Sequence, residues 1–95
     1  MKDSITITRT TSVKNELGMH ARPASRIAQI AESAQWGIWL HANSIKVDAT
    51  SILDILSLCA TKGTDIVVEI ENKNDMHVLD QIADFFEIGF GESQG

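Results

Sequence analysis

The 95-residue chain reads as an α+β fold. It has four strands in one antiparallel sheet and three helices on one face, an open-faced sandwich of order βαββαβα. Three observations predict it. Short stretches at residues 4–10, 45–49 and 65–71 alternate apolar with polar residues or concentrate β-branched ones, as strands do. At Ala24, Ile27, Ala28 and Ala31, and again at Leu79, Ile82, Ala83 and Phe86, the apolar spacing becomes helical. Strands and helices then interleave with no repeat and no linker, so helices that follow strands can cover a single face of one sheet.

Taken in order, Ser4 to Thr10 is a half-buried strand. Residues 21–34 form an amphipathic helix with Arg26, Gln29 and Glu32 outside, and its alanines allow close packing on a sheet. The bulky run Trp36 to Ala42 is the second strand and Ile45 to Ala49 the third, joined at Asn43-Ser44 as a hairpin. Ser51 opens a short helix over residues 52–59, with Asp54 three residues on as a capping pair. That helix is apolar nearly all round, more than a short surface helix needs, so part of it is expected to face a partner. Cys59 reads as a small core residue. Lys62-Gly63 ends the helix and Asp65 to Glu71 is the fourth strand. Asn72 to Asp75 is a polar turn that can cap the last helix, Gly89 terminates it, and residues 91–95 read as a disordered tail.

Length allows one domain over residues 1–95 and a core without staples. A single cysteine excludes an internal disulfide and suits a reducing compartment. The N-terminus lacks the apolar run of a signal peptide, and no stretch approaches the ~20 apolar residues of a membrane span. A cytoplasmic monomer is the expectation. The net charge of −5 argues against nucleic-acid binding. Positive charge is concentrated between Lys2 and Arg26, whereas the segment from Asp65 to Glu92 sets Lys73 against an excess of carboxylates.

The stretch Leu17-Gly18-Met19-His20-Ala21-Arg22-Pro23-Ala24-Ser25 carries the chemistry. Pro23, the only proline, suits a first helical turn, which puts His20 at the helix N-terminus. The unpaired amides and dipole there favour an anion, and Arg22 adds a forked donor that fits phosphate oxygens. A neutral imidazole can attack phosphorus, and its ordinary pKa of about 6.5 keeps much of it neutral near pH 7. These residues suggest a histidine that carries a phosphoryl group, although a helix-capping or solvated histidine fits the same local pattern. No glycine-rich nucleotide loop is present, so another protein must bring the donor. His41 and His77 have no second ligand at metal spacing and read as structural or solvated, and no cofactor is called for.

From Gly18 to Ala24 the sequence resembles the HPr family, the histidine-containing phosphocarrier proteins of the bacterial phosphoenolpyruvate-dependent phosphotransferase system. The resemblance continues through Ser51-Ile52-Leu53, Lys62-Gly63-Thr64 and the last helix. It implies the HPr-like open-faced β-sandwich with strand order 1-4-2-3. It also implies that His20 accepts phosphate on Nδ1 from enzyme I and donates it to an enzyme IIA-type domain, as a carrier and not an enzyme. Arg22 matches the phosphate-stabilising arginine, Pro23 the helix-starting proline, and Met19, Ile52, Leu53 and Leu56 the apolar docking patch. Ser51 matches the serine that HPr kinase/phosphorylase modifies in many members. The sequence departs from the sugar-system pattern at Gln29, Glu32 and Asp54, where basic or small residues are common. Gly18 to His20, Ala49 to Lys62 and Phe86 to Phe90 look closer to the nitrogen-related branch. The alternative is a regulatory module that binds a partner through this fold.

Overall fold

The computed structural model describes residues 6–92. Its elements run β1 (Ile7–Ser12), α1 (Ala21–Ala31), β2 (Ile38–Ala42), β3 (Ile45–Asp48), α2 (Ile52–Ser57), β4 (Asp65–Ile70) and α3 (Met76–Glu87). Short 3-10 turns occupy Lys73–Asp75 and Gly89–Gly91. All strand pairs are antiparallel and the sheet order is β1-β4-β2-β3. The sequence of β4 explains its central place. Ile66, Val68 and Ile70 are fully buried towards the helices, and Glu69 on the other face is also nearly covered. A strand flanked on both sides loses solvent on both faces.

The core lies between this sheet and the helices. Ile27, Ile38, Leu40, Ile55, Leu58, Ile82 and Phe86 meet there with almost no exposure. Each buried side chain of this size contributes about 1.5–3 kcal/mol relative to an exposed one. The opposite face of the sheet is open. There the His41 ring lies 2.6 Å from the Glu69 carboxylate, and the Lys46 ammonium sits 4.8 Å from the centre of the Trp39 ring. His41 is thus a structural cross-strand partner, and His77 is exposed on α3. Among the described residues no group of three metal-ligating side chains gathers, and no helix is long and apolar enough to cross a membrane.

Boundaries follow from hydrogen bonds that local pattern does not encode. The expected first helix stops at Ala31 instead of residue 34, because the buried Asp75 carboxylate takes the amides of Gln35 and Trp36, each at 2.9 Å, and leads the chain into β2. The β2–β3 turn places both Asn43 and Ser44 at positive φ, 52° and 67°, the twist that a two-residue hairpin needs. Asn43 also donates to the Leu58 carbonyl at 3.0 Å, closing the C-terminal end of α2. Beyond it Cys59 takes φ 52°, which turns its side chain outward: the residue is exposed and not part of the core. The first strand begins at Ile7, and the expected start at Ser4 lies outside the described residues. The expected disordered tail is corrected at its beginning. Gly91 belongs to an ordered turn and Glu92 is bonded into the fold, while residues 93–95 lie outside the described residues.

Candidate functional site

Residues 13–18 cross from β1 to α1, and the loop after α2 holds them. Val13 exchanges backbone bonds with Gly63 and Thr64, and the Met19 amide donates to the Ala60 carbonyl at 2.9 Å. Gly18 makes that approach possible. It has φ 70°, and a Cβ there would lie 2.9 Å from the Ala60 carbonyl oxygen. The close approach that this glycine permits is therefore to the loop at Ala60-Thr61, with α1 following directly. Buried Asn15 completes the crossing by donating from Nδ2 to the Gly18 carbonyl at 2.9 Å.

This crossing delivers His20 as the residue capping α1. Its backbone is extended, with φ −131° and ψ −173°, and its carbonyl accepts from the Ala24 amide at 3.0 Å. Its side chain makes no capping bond. The amides of Ala21 and Arg22 fall in the first helical turn, where no intrahelical carbonyl can reach them, and Pro23 has none to offer. Pro23 itself is buried.

The ring of His20 is engaged instead from the far end of the chain. Nε2 lies 2.5 Å from Oε2 of Glu92, whose other oxygen accepts from Asn15 Nδ2 at 2.8 Å. Burial opposes charge on Glu92, but the bonds from Asn15 and His20, with Arg22 adding attraction, hold its carboxyl below the ordinary carboxylate value. Glu16, Leu17, His20, Arg22, Phe90, Gly91 and Glu92 surround one open cleft of about 380 Å³. Lys62 pairs with Glu16 at its edge. Arg22 is exposed on the first turn of α1.

The remaining candidate residues lie elsewhere around α1. Ile52 and Leu53 on α2 are exposed, Leu53 to 78%, whereas Met19 and Leu56 are half-buried against the core. Ile52 shares a groove with Ser25, Ala28, Gln29, Glu32 and Thr50 between α1 and α2. Ser51 caps α2 by accepting from the Asp54 amide at 3.3 Å. Asn15 and Glu92 carry no local signature of a site. Their only sequence hint is an aromatic, Phe90, set between two glycines beyond the last helix, which marks a tail that packs.

The site and fold have counterparts among known proteins. A family model described as the PTS HPr component phosphorylation site matches residues 7–87. The phosphocarrier protein HPr of Chlamydia pneumoniae is 36% identical over 80 residues, spanning 84% of this chain and 74% of that protein. The phosphocarrier protein NPr of Proteus mirabilis is 32% identical over 85 residues, spanning 88% of this chain and 94% of that protein. The crystal structure of an HPr from Thermoanaerobacter tengcongensis superposes with a TM-score of 0.84 at 32% identity, covering 92% of this chain and 98% of that one. The chain belongs to the HPr family of phosphocarrier proteins, which relay phosphoryl groups in the phosphotransferase system and are not themselves enzymes.

Proposed function

We propose that His20 takes a phosphoryl group on Nδ1 from enzyme I and passes it to an enzyme IIA-type domain. One observation carries this reading over that of a capping histidine: His20 sits at the N-terminus of α1, yet its side chain makes no capping bond and faces an open cleft beside Arg22. The Nδ1 lone pair forms a bond to phosphorus as the bond to enzyme I breaks and its electron pair leaves with the enzyme I atom. Charge on the phosphoryl oxygens is met by the first-turn amides, the positive end of the helix and the Arg22 guanidinium. Onward transfer reverses these roles.

Docking in this reading rests on apolar burial. Leu17 and Leu53 stand 74% and 78% exposed and Ile52 is exposed too, while Met19 and Leu56 are partly buried against the core. Gln29, Glu32 and Asp54 add no positive charge to the neighbouring helix faces, so electrostatic steering towards an acidic partner falls to Arg22 and Arg26, the two exposed cations of α1. Sugar uptake and a nitrogen-related relay share this phosphoryl step. Ser51 serves here as the cap of α2, accepting from the Asp54 amide, so a phosphate added to it by an HPr kinase/phosphorylase would replace that capping hydroxyl at the start of the helix.

Incubation with enzyme I and phosphoenolpyruvate tests the reading. It should place one acid-labile phosphate on the wild-type chain and none on His20→Ala. Labelling that persists in the variant would overturn it.

A further inference from the structure

The bond between His20 and Glu92 joins residues at opposite ends of the chain, and the local backbone is shaped to make it. After α3, Gly89, Phe90 and Gly91 take φ values of 62°, 61° and 73°, three left-handed residues in succession. Phe90 is the informative one, because a side chain is disfavoured there. Its ring is nearly buried, 5.1 Å from that of Phe85 and 5.0 Å from that of Phe86. Aromatic packing thus holds a bend that turns the chain away from the α3 axis and back across the start of α1. The next side chain but one is Glu92. It arrives with one carboxylate oxygen on Nε2 of His20 and the other on Nδ2 of Asn15. Asn15 is itself buried and fixed to the Gly18 carbonyl, so the carboxylate is located from both sides.

We propose that Glu92 is a positioning residue for phosphoryl transfer: it orients the His20 ring, holds the proton on Nε2 and so keeps the lone pair on Nδ1. The inference rests on the phosphocarrier reading. An ionised carboxylate can only accept a hydrogen bond, so the Glu92 contact requires a proton on Nε2. In the neutral ring that leaves Nδ1 unprotonated and nucleophilic. The second consequence concerns charge. When Nδ1 forms its bond to phosphorus, the proton stays on Nε2 and the ring becomes a cation. No proton has to leave, and the Glu92 carboxylate already faces the edge that bears the new charge. When the phosphoryl group moves on, the N–P electron pair returns to Nδ1 and the ring is neutral again with the same proton in place. Glu92 serves both directions of the relay without touching the phosphoryl group, while the first-turn amides and Arg22 meet the oxygens on the Nδ1 side. The clamp resembles the carboxylate that fixes a histidine tautomer in other nucleophilic sites, here supplied by the end of the chain.

The full chain is compared as wild type, Glu92→Gln and Glu92→Ala in two measurements. NMR of the 15N-labelled His20 ring should show the wild-type Nε2 proton shifted downfield and slowed in exchange with water, as a hydrogen bond to a carboxylate requires. That signal should vanish in Glu92→Ala and return in weaker form in Glu92→Gln, whose amide oxygen still accepts. Enzyme I and phosphoenolpyruvate then give the kinetic split. The kcat should fall about tenfold in Glu92→Ala, the factor associated with one close opposite charge, with the KM unchanged because the apolar docking residues are untouched. Glu92→Gln should recover part of that loss. An unaltered ring signal and kcat in Glu92→Ala would overturn the proposal, as would an effect on KM alone. A wild-type chain that shows the downfield proton but takes no phosphate on His20 would overturn the phosphocarrier reading instead.

Discussion

Replacing Gly18 with alanine introduces a methyl group at a point where the backbone has no room for one. The new Cβ would lie 2.9 Å from the Ala60 carbonyl oxygen and 3.1 Å from the Thr61 Cα, and both neighbours are main chain. A left-handed alanine at φ 70° costs about 1–2 kcal/mol before any clash. Relieving the clash requires the loop after α2 to retreat, which weakens the Met19-to-Ala60 bond of 2.9 Å by about 1 kcal/mol. The sum is about 2–3 kcal/mol. For a domain of this size that lowers Tm by roughly 10–25 °C. Urea unfolding followed by the fluorescence of Trp36 and Trp39 should show an earlier midpoint with an unchanged slope. Gly18→Asn separates the two causes, because asparagine tolerates the left-handed region but still carries a Cβ. It should lose nearly as much stability if the close approach dominates. A loss below about 0.5 kcal/mol in Gly18→Ala would refute the reasoning, since such a value belongs to an ordinary surface substitution.

Asp75→Ala should destabilise by about 2–3 kcal/mol in the same assay, because it leaves the Gln35 and Trp36 amides without the acceptor they share at 2.9 Å. A neutral result would mean that water replaces the carboxylate without cost. Ser51→Ala removes the cap of α2 and should cost about 0.5–1 kcal/mol, the low end expected of a capping bond as long as 3.3 Å. The carboxyl of Glu92 is held below its ordinary value, so its contribution is complete above the unfolded value of about 4.3 and is lost as pH falls through the lower folded value. The side-chain carboxyl carbon shift of Glu92, which reports its own ionisation, should therefore stay near its ionised value down to about pH 5 and move to the protonated value only in stronger acid. Protonation above the ordinary carboxylate value would contradict the assigned sign.

Features governed by short stretches of chain were legible in the sequence. The stripe of Ala24, Ile27, Ala28 and Ala31 is buried on α1, and Leu79, Ile82, Ala83 and Phe86 are buried on α3. His20 and Arg22 fall together because they are two residues apart at a helix start that Pro23 marks. Asn43-Ser44 formed its turn without a glycine because asparagine tolerates positive φ and the strand twist demands it. Cys59 was misplaced for a related reason. Its apolar neighbours continue the helical pattern, but α2 ends when Leu58 turns inward, and the next residue is directed to solvent.

The element order, the two helical stripes, the hairpin turn and the seat of His20 were thus determined by the sequence alone, since each depends on periodicity or on neighbours within one turn of chain. The strand order 1-4-2-3, implied by the family resemblance and not by any local pattern, is the one observed, and only the tertiary structure decided what touches the histidine. No periodicity relates Asn15 to Glu92, which are 77 positions apart, or His20 to Glu92, which are 72 apart. They meet because β1 lies beside β4, α3 packs across both, and the left-handed bend at Phe90 returns the chain to where it began.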